Sequence, residues 1–387
     1  MHKREGVLRE KIRIKAIQVF LLLILISTLF FLAWEYLSSS HLPIEQLRIR
    51  GISIVDGKQT PIILRGVNYL EVSNEWERPL KFADLERIKS LGFNSIRLPI
   101  YWEKLETEQG VVNYTFIEEY IDPLVEWCQN NSMYLVLDMH QWHTSSHFIY
   151  DPINGSHGVG FPTWLCESYD SEDKFLYDWW KNSVKDVSDS WTKFADIWCI
   201  LAKRYWNYSY LAGYDIFNEP NRPSGIDEEE LNSEILRRFY DYVIGRILKV
   251  DPNHLLFFEG EDGDSKPSLG KPKISASLVY SQHAYTEDHT LEACRKLIER
   301  ATNKIRNWKI PLWIGEFGSS KNESAFACNM TSALNEKIEA EECSGWCWWC
   351  YKVGDSIDEF VLQLLWPHKN LEISAPPHCF HDLENGI

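Results

Sequence analysis

The stretch Leu211-Ala-Gly-Tyr-Asp-Ile-Phe-Asn-Glu-Pro220 is a short apolar run that ends on a carboxylate and is closed by a proline. Such a run reads as a buried strand giving way to a loop, the place where α/β barrels put their chemistry. Leu312-Trp-Ile-Gly-Glu-Phe-Gly318 has the same form and ends at Glu316. Working outward, further candidate strands are Ile62–Asn68, Ser95–Ile100, Tyr134–His140, Leu255–Glu259, Leu278–His283 and Gly345–Tyr351, which makes eight with Leu211–Asn218 and Leu312–Glu316. Helix-period segments lie between them: Phe82–Leu91, Phe116–Gln129, Trp191–Trp206, Glu228–Lys249, Leu291–Arg306 and Ala325–Glu341. Eight strands alternating with helices predict an α/β fold, a (β/α)8 TIM barrel. Ahead of the first strand, Leu47–Thr60 alternates around Asp56-Gly57 and reads as a hairpin capping the barrel bottom.

The N-terminal region reads as a separate unit. Residues 1–15 carry Lys3, Arg4, Arg9, Lys11, Arg13 and Lys15 against Glu5 and Glu10, and Ala16–Trp34 is uncharged throughout. That length suits one transmembrane helix, which needs about 20 apolar residues. The organisation expected is a cytoplasmic tail (1–15), a signal-anchor (16–36), a linker (37–43), a barrel domain (44–370) with an insertion at 141–190, and a C-terminal tail (371–387). Basic residues before the span place the bulk of the chain outside the cytoplasm. The competing reading is a cleaved signal and secretion. Six Asn-x-Ser/Thr triplets, at Asn113, Asn130, Asn154, Asn207, Asn322 and Asn329, fit export. Nine cysteines permit disulfides there, and their odd number leaves one over.

Two glutamates at strand ends, far apart in sequence, suggest a paired-carboxylate site. Glycoside hydrolysis needs such a pair, one carboxyl to protonate the leaving oxygen and one to attack the anomeric carbon or activate water. Seven motifs in order, Leu64-Arg-Gly-Val-Asn68, Ser95-Ile-Arg-Leu-Pro99, Asp138-Met-His-Gln141, Phe217-Asn-Glu-Pro220, Tyr280-Ser-Gln-His-Ala-Tyr285, Ile314-Gly-Glu-Phe-Gly318 and Gly345-Trp-Cys-Trp-Trp-Cys-Tyr-Lys352, together resemble glycoside hydrolase family 5, the cellulase family. The resemblance implies a retaining β-glycosidase. It makes Glu219 the acid/base and Glu316 the nucleophile, with Arg97 keeping Glu316 charged and Asn218 on the sugar 2-hydroxyl. It places His140, His283 and Tyr285 around the reacting sugar and Trp349 as a stacking platform. Strand parity puts Trp349 inside the barrel together with Tyr351. Repulsion from an ionised Glu316 is expected to raise the Glu219 pKa. No cofactor or metal is expected.

The connection from Gln141 to Ser190 is far longer than an ordinary strand-to-helix loop and is dense in aromatic residues, so it either packs a small core or lines sugar subsites. Within it, Gly158-Val-Gly-Phe-Pro-Thr-Trp164 after Asp138-Met-His-Gln141 resembles the endoglycoceramidase-like branch, although Trp142 stands where that branch tends to carry an acidic residue. Cys343, Cys347 and Cys350, and likewise His140, His143 and His147, have metal-site spacing; burial or a disulfide for the first and loop chemistry for the second fit better. A net charge of −16 argues against nucleic acid as the partner. The partner expected is a β-linked oligo- or polysaccharide or a glycolipid, with the rival that the chain only binds a surface glycan.

Overall fold

The computed structural model describes residues 45–72, 81–151, 156–318, 324–353 and 356–357, together with the single residue Gln18. Apart from Gln18, all of these belong to one compact unit, Glu45–Ile387. Apart from Gln18, the expected anchor at 16–36 lies outside the described residues. Among the described residues no helix is long and apolar enough to cross a membrane.

Eight parallel strands close into a barrel. In chain order they are β1 (Leu64–Asn68), β2 (Ser95–Ile100), β3 (Tyr134–Met139), β4 (Leu211–Asp215), β5 (Leu255–Phe258), β6 (Leu278–His283), β7 (Leu312–Phe317) and β8 (Gly345–Trp348). Each pairs with its sequence neighbours, and β8 closes on β1 through Gly345 opposite Leu64. The expected (β/α)8 barrel is therefore present. Both faces of the strands are buried, which is why they read as near-continuous apolar runs. Leu256, Phe258, Tyr280, Ile314, Trp346 and Trp348 point outward into the helix layer. Leu255, Phe257, Val279, Trp313 and Cys347 point inward and fill the lower barrel together with Leu47 and Ile54 of the N-terminal hairpin. The helix Leu291–Trp308 illustrates the outer layer. The Thr290 hydroxyl caps it by accepting from the Ala293 amide, and Cys294, Leu297, Ile298, Ala301 and Ile305 line its buried face.

Three expectations require correction. The hairpin pairs Arg48–Arg50 with Ser53–Val55, so its turn is at Gly51-Ile52 and not at Asp56-Gly57. Asp56 builds a second turn instead, its carboxylate accepting from the Lys58 and Thr60 amides. Strands β3, β4 and β5 stop at Met139, Asp215 and Phe258, short of the expected His140, Asn218 and Glu259. Tyr351 does not share the barrel interior with Trp349. The regular strand ends at Trp348, parity lapses beyond it, and the Tyr351 ring stacks on Tyr69 with its hydroxyl donating to Asp84 of the outer helix Phe82–Ser90.

The insertion contains a two-stranded ladder, Tyr150–Asp151 with Ser156–His157, and the helices Thr163–Cys166 and Glu172–Trp180. Its aromatic residues mostly form a core. Phe161, Phe175, Trp179 and Trp180 are buried; Phe161 and Trp179 meet Trp102 tilted, Trp180 meets Phe217 and Phe239 edge-on, and Phe175 packs edge-on against Phe161. Tyr177 faces outward.

Candidate active site

Inside the barrel, above the apolar floor, the filling turns from apolar to charged. Arg97, central on β2, is fully buried. Its guanidinium reaches Asp138 (3.0 Å), Asp215 (3.0 Å), Glu259 (3.3 Å) and Glu316 (2.6 Å). Nη1 also donates to Asn68 Oδ1 and Nη2 to Asn218 Oδ1. Burial alone would weaken the charge on Arg97, but the surrounding carboxylates outweigh it and hold the group more firmly protonated. Four acids exceed what one cation can balance. Burial, and next to it the charge of Glu259, pushes the Asp215 carboxyl well above the ordinary aspartate range against the opposing pull of Arg97.

Glu316, the last residue but one of β7, has one oxygen on Arg97 and the other accepting from the Tyr285 hydroxyl at 3.2 Å. Tyr285 is 44% exposed as a residue, and its hydroxyl donates to Glu316. Opposite stands Glu219, on the loop after β4, with a φ of 38° that non-glycine residues rarely adopt. Two neighbours hold that backbone. The Glu219 amide donates to Glu259 Oε2 at 2.8 Å, its carbonyl accepts from Gln141 Nε2 at 2.8 Å, and the same Gln141 amide reaches Asn221 Oδ1. Glu219 Oε1 lies 2.7 Å from His283 Nδ1, and the carboxylate keeps 29% of its surface open. Single oxygens of Glu219 and Glu316 and a His283 nitrogen all fall within 4.8 Å of one another. Among the described residues this is also the one group placed closely enough to hold an ion. Here, however, the contacts are already taken up within the group, by Arg97 on Glu316 and by the His283 ring on Glu219.

The protonation directions depart from expectation. Burial works to raise the Glu219 pKa, but the His283 ring beside it outweighs burial and holds Glu219 below the ordinary glutamate range. For Glu316, burial wins over His283 and Arg97, and its pKa lies above that range. His283 itself is held charged well past the ordinary imidazole range by Glu259, Glu316 and Glu219, against the opposing effect of burial. The expected rise at Glu219 through Glu316 is overridden because His283 is nearer.

The remaining candidates gather around this pair. His140 is buried, its Nδ1 lies 2.8 Å from Asp138 Oδ2, and its ring stacks on Trp349 at 5.2 Å and 11°. Trp349 is partly exposed, and its amide donates to the Phe317 carbonyl. Asn218 Nδ2 donates to the Gln141 carbonyl, which leaves a second N–H for another partner. All eight candidate residues thus meet at the C-terminal end of the barrel. Asn68, Asp138, Asp215, Glu259 and Gln141 also belong to the site and had not been singled out. Of these, Glu259 ended an apolar run just as Glu219 and Glu316 did. His143 and His147 do not join His140 in a cluster: His143 sits edge-on to Trp142, and His147 Nε2 contacts the Tyr169 carbonyl. Cys343 and Cys347 are free and buried, as are Cys128, Cys166 and Cys294.

An eight-stranded barrel with two facing glutamates at its C-terminal mouth defines a class of barrel hydrolases. The chain belongs to the cellulase family, glycosyl hydrolase family 5, which it matches over residues 55–353. Among curated relatives, the beta-xylosidase of Phanerodontia chrysosporium is 25% identical over 307 residues, covering 70% of this chain and 56% of the relative. The endoglycoceramidase of Cyanea nozakii is 25% identical over 245 residues, covering 54% of this chain and 48% of the relative. The chain thus spans only about half the length of these relatives. A solved structure of endo-glycoceramidase II from Rhodococcus sp., a lactosyl-enzyme intermediate, superposes with a TM-score of 0.67 at 19% identity, covering 81% of this chain and 80% of that one.

Proposed function

We propose that this chain is a retaining β-glycosidase that hydrolyses O-glycosidic bonds of β-linked glycans by double displacement. The observation that carries the reading is the approach of Glu219 and Glu316 to within 4.8 Å, oxygen to oxygen. Retaining enzymes hold their carboxyls roughly 5–5.5 Å apart, whereas inverting ones need roughly 6.5–9.5 Å to admit a water. In the first step Glu316 attacks the anomeric carbon as Glu219 gives its proton to the departing oxygen. A glycosyl ester forms on Glu316 and the aglycone leaves neutral. In the second step Glu219 takes a proton from water, the hydroxide adds to the anomeric carbon, and Glu316 is released with net retention. Arg97 and the Tyr285 hydroxyl stabilise the Glu316 carboxylate as it leaves. The spare Asn218 N–H is placed for the sugar 2-hydroxyl, and the Trp349 face not covered by His140 for a pyranose ring.

For substrate, the leading reading is a β-glucan-like glycan. A second, endoglycoceramidase-like hydrolysis of a glycolipid, is favoured by the relative of that name. For placement, we propose a single-pass membrane protein with the barrel outside the cytoplasm. Supporting this are the uncharged Ala16–Trp34 stretch behind a basic tail and the exposed sequon residues Asn130 and Asn207. The test is incubation of the purified protein with β-glucan, β-mannan, β-1,3-glucan and a glycosphingolipid, beside Glu219→Ala and Glu316→Ala. Release of sugar from one of them, lost in both variants, supports the reading and selects the substrate class. Binding of a glycan without cleavage, equal in all three proteins, would replace it with a surface lectin.

A further inference from the structure

His283 is held on both ring nitrogens. Nδ1 lies 2.7 Å from Glu219 Oε1, and Nε2 lies 3.2 Å from Glu259 Oε1, an ion-pair contact that falls short of hydrogen-bond geometry. Two glycines leave room for the ring and for nothing more. A Cβ on Gly315 would come within 3.1 Å of Nε2, and one on Gly263, at φ +66°, within 2.7 Å of the His283 Cβ. Glu259 is fully buried and also accepts the Glu219 amide at 2.8 Å, so one carboxylate touches both the backbone of Glu219 and the far side of the ring that faces its carboxyl.

We propose that Glu259 is a positioning residue for the acid/base. It keeps a proton on His283 Nε2 and thereby turns Nδ1, the nitrogen that can give or take a proton, onto Glu219. The inference rests on the glycosidase reading given above. A neutral imidazole has one N–H and one lone pair, and the group beside one nitrogen decides which is which. With Nε2–H toward Glu259, the proton in the Nδ1 to Oε1 gap has two seats. On Nδ1 it leaves an imidazolium and a carboxylate; on Oε1 it leaves a neutral ring and a carboxylic acid ready for the leaving oxygen. The transfer moves one proton over one hydrogen bond and needs no other reactant. Without Glu259 the Nδ1–H tautomer becomes available, and a neutral His283 in that form donates to Glu219 and holds it as the carboxylate, which is no acid. The other charged or titratable groups around this line are Arg97, Asp215, Glu316, His140, Asp262 and Tyr285, and Glu316 faces the other ring nitrogen, its Oε2 3.6 Å from Nδ1.

The test uses the full chain with Glu259→Gln and the shorter-reaching Glu259→Asp, aryl β-cellobiosides and β-lactosides as substrates, and ¹⁵N-histidine NMR as a readout independent of turnover. General acid catalysis is worth about 10²–10⁴-fold for poor leaving groups and little for activated ones. The Gln variant is therefore expected to lower kcat/KM for a phenyl glycoside at least about tenfold more than for its 2,4-dinitrophenyl counterpart. Its His283 resonances should move toward the Nδ1–H form, while Glu259→Asp falls between. Equal losses on both substrates, or unchanged His283 nitrogen shifts, would overturn the inference. A wild-type His283 that is neutral with its proton on Nδ1 would overturn it without any variant. Failure of the wild type to cleave any glycoside counts against the glycosidase reading, and the NMR result still decides the positioning role.

Discussion

Replacing Arg97 by methionine removes the cation around which the upper barrel is built and keeps much of the side-chain volume. Asp138, Asp215 and Glu259 are then left at 0% exposure and Glu316 at 4%, with His283 as the nearest remaining positive group. Breaking a buried ion pair from one side costs about 3–5 kcal/mol, against a total domain stability of about 5–15 kcal/mol. The loss should depend on pH in a definite direction. Carboxyls deprived of Arg97 have folded pKa values above their unfolded ones, as Asp215 already has in the intact protein. Such groups bind a proton in the native state that the unfolded chain has released. Their penalty is therefore absent below the unfolded value of about 4 and grows by up to about 1.4 kcal/mol per pH unit per group until the folded pKa is passed. Urea denaturation of wild type and Arg97→Met at about pH 5 and about pH 7.5 should show the variant weaker at both and the gap wider at the higher value. Arg97→Lys, which keeps the charge and loses the fork, should recover part of the difference. A variant within about 1 kcal/mol of wild type at the higher pH, or a gap that widens on acidification, would refute the charge-balance argument.

Glu316→Ala should lose at least about 10³-fold in turnover, and added azide should restore cleavage with the α-glycosyl azide as product, because a single displacement inverts. With Glu219→Ala, azide should give the β-glycosyl azide instead; identical products from the two variants would reverse or abolish the assignment. Trp179→Ala empties a fully buried site in the insertion's aromatic core and should cost about 3–5 kcal/mol in thermal or urea melts; a loss below about 1 kcal/mol would mean that the insertion is not part of the cooperative core. If the barrel is exported, Asn130 and Asn207 should carry glycans, whereas the Asn113 amide is engaged with the Lys104 carbonyl and that of Asn329 with the His289 carbonyl. Glycosidase treatment of protein made through a secretory route should shift its mass, and Asn130→Gln with Asn207→Gln should remove most of that shift; no shift at all would count against export.

What the sequence made legible follows from how barrel strands are buried. Because both faces of β2, β3 and β7 are covered, these strands stand out as apolar runs, and because each run stops where the chain turns over the mouth, the residue at its end marks the site. Glu219 and Glu316 were readable for that reason. The insertion was legible only as an anomaly of length and aromatic content; that its rings face Trp102 and Phe239 instead of a sugar depends on tertiary contacts that no local pattern encodes. Parity failed at Tyr351 because it holds only as far as the strand does. The protonation order was missed because it depends on which group approaches nearest, and His283 at 2.7 Å outranks Glu316 at Glu219. Glu259 is the instructive case, since Leu-Leu-Phe-Phe-Glu259 carries the same signature as the runs ending in Glu219 and Glu316. A strand-end carboxylate announces that a charge stands at the top of the barrel. Whether that charge meets a substrate or a buried cation is decided by depth: Glu219 keeps 29% of its side chain open, while Glu259 has none. An exposed acid can trade its proton with a ligand, whereas an enclosed one can act only through its neighbours, and Glu259 has Arg97, the Glu219 amide and the His283 ring within reach.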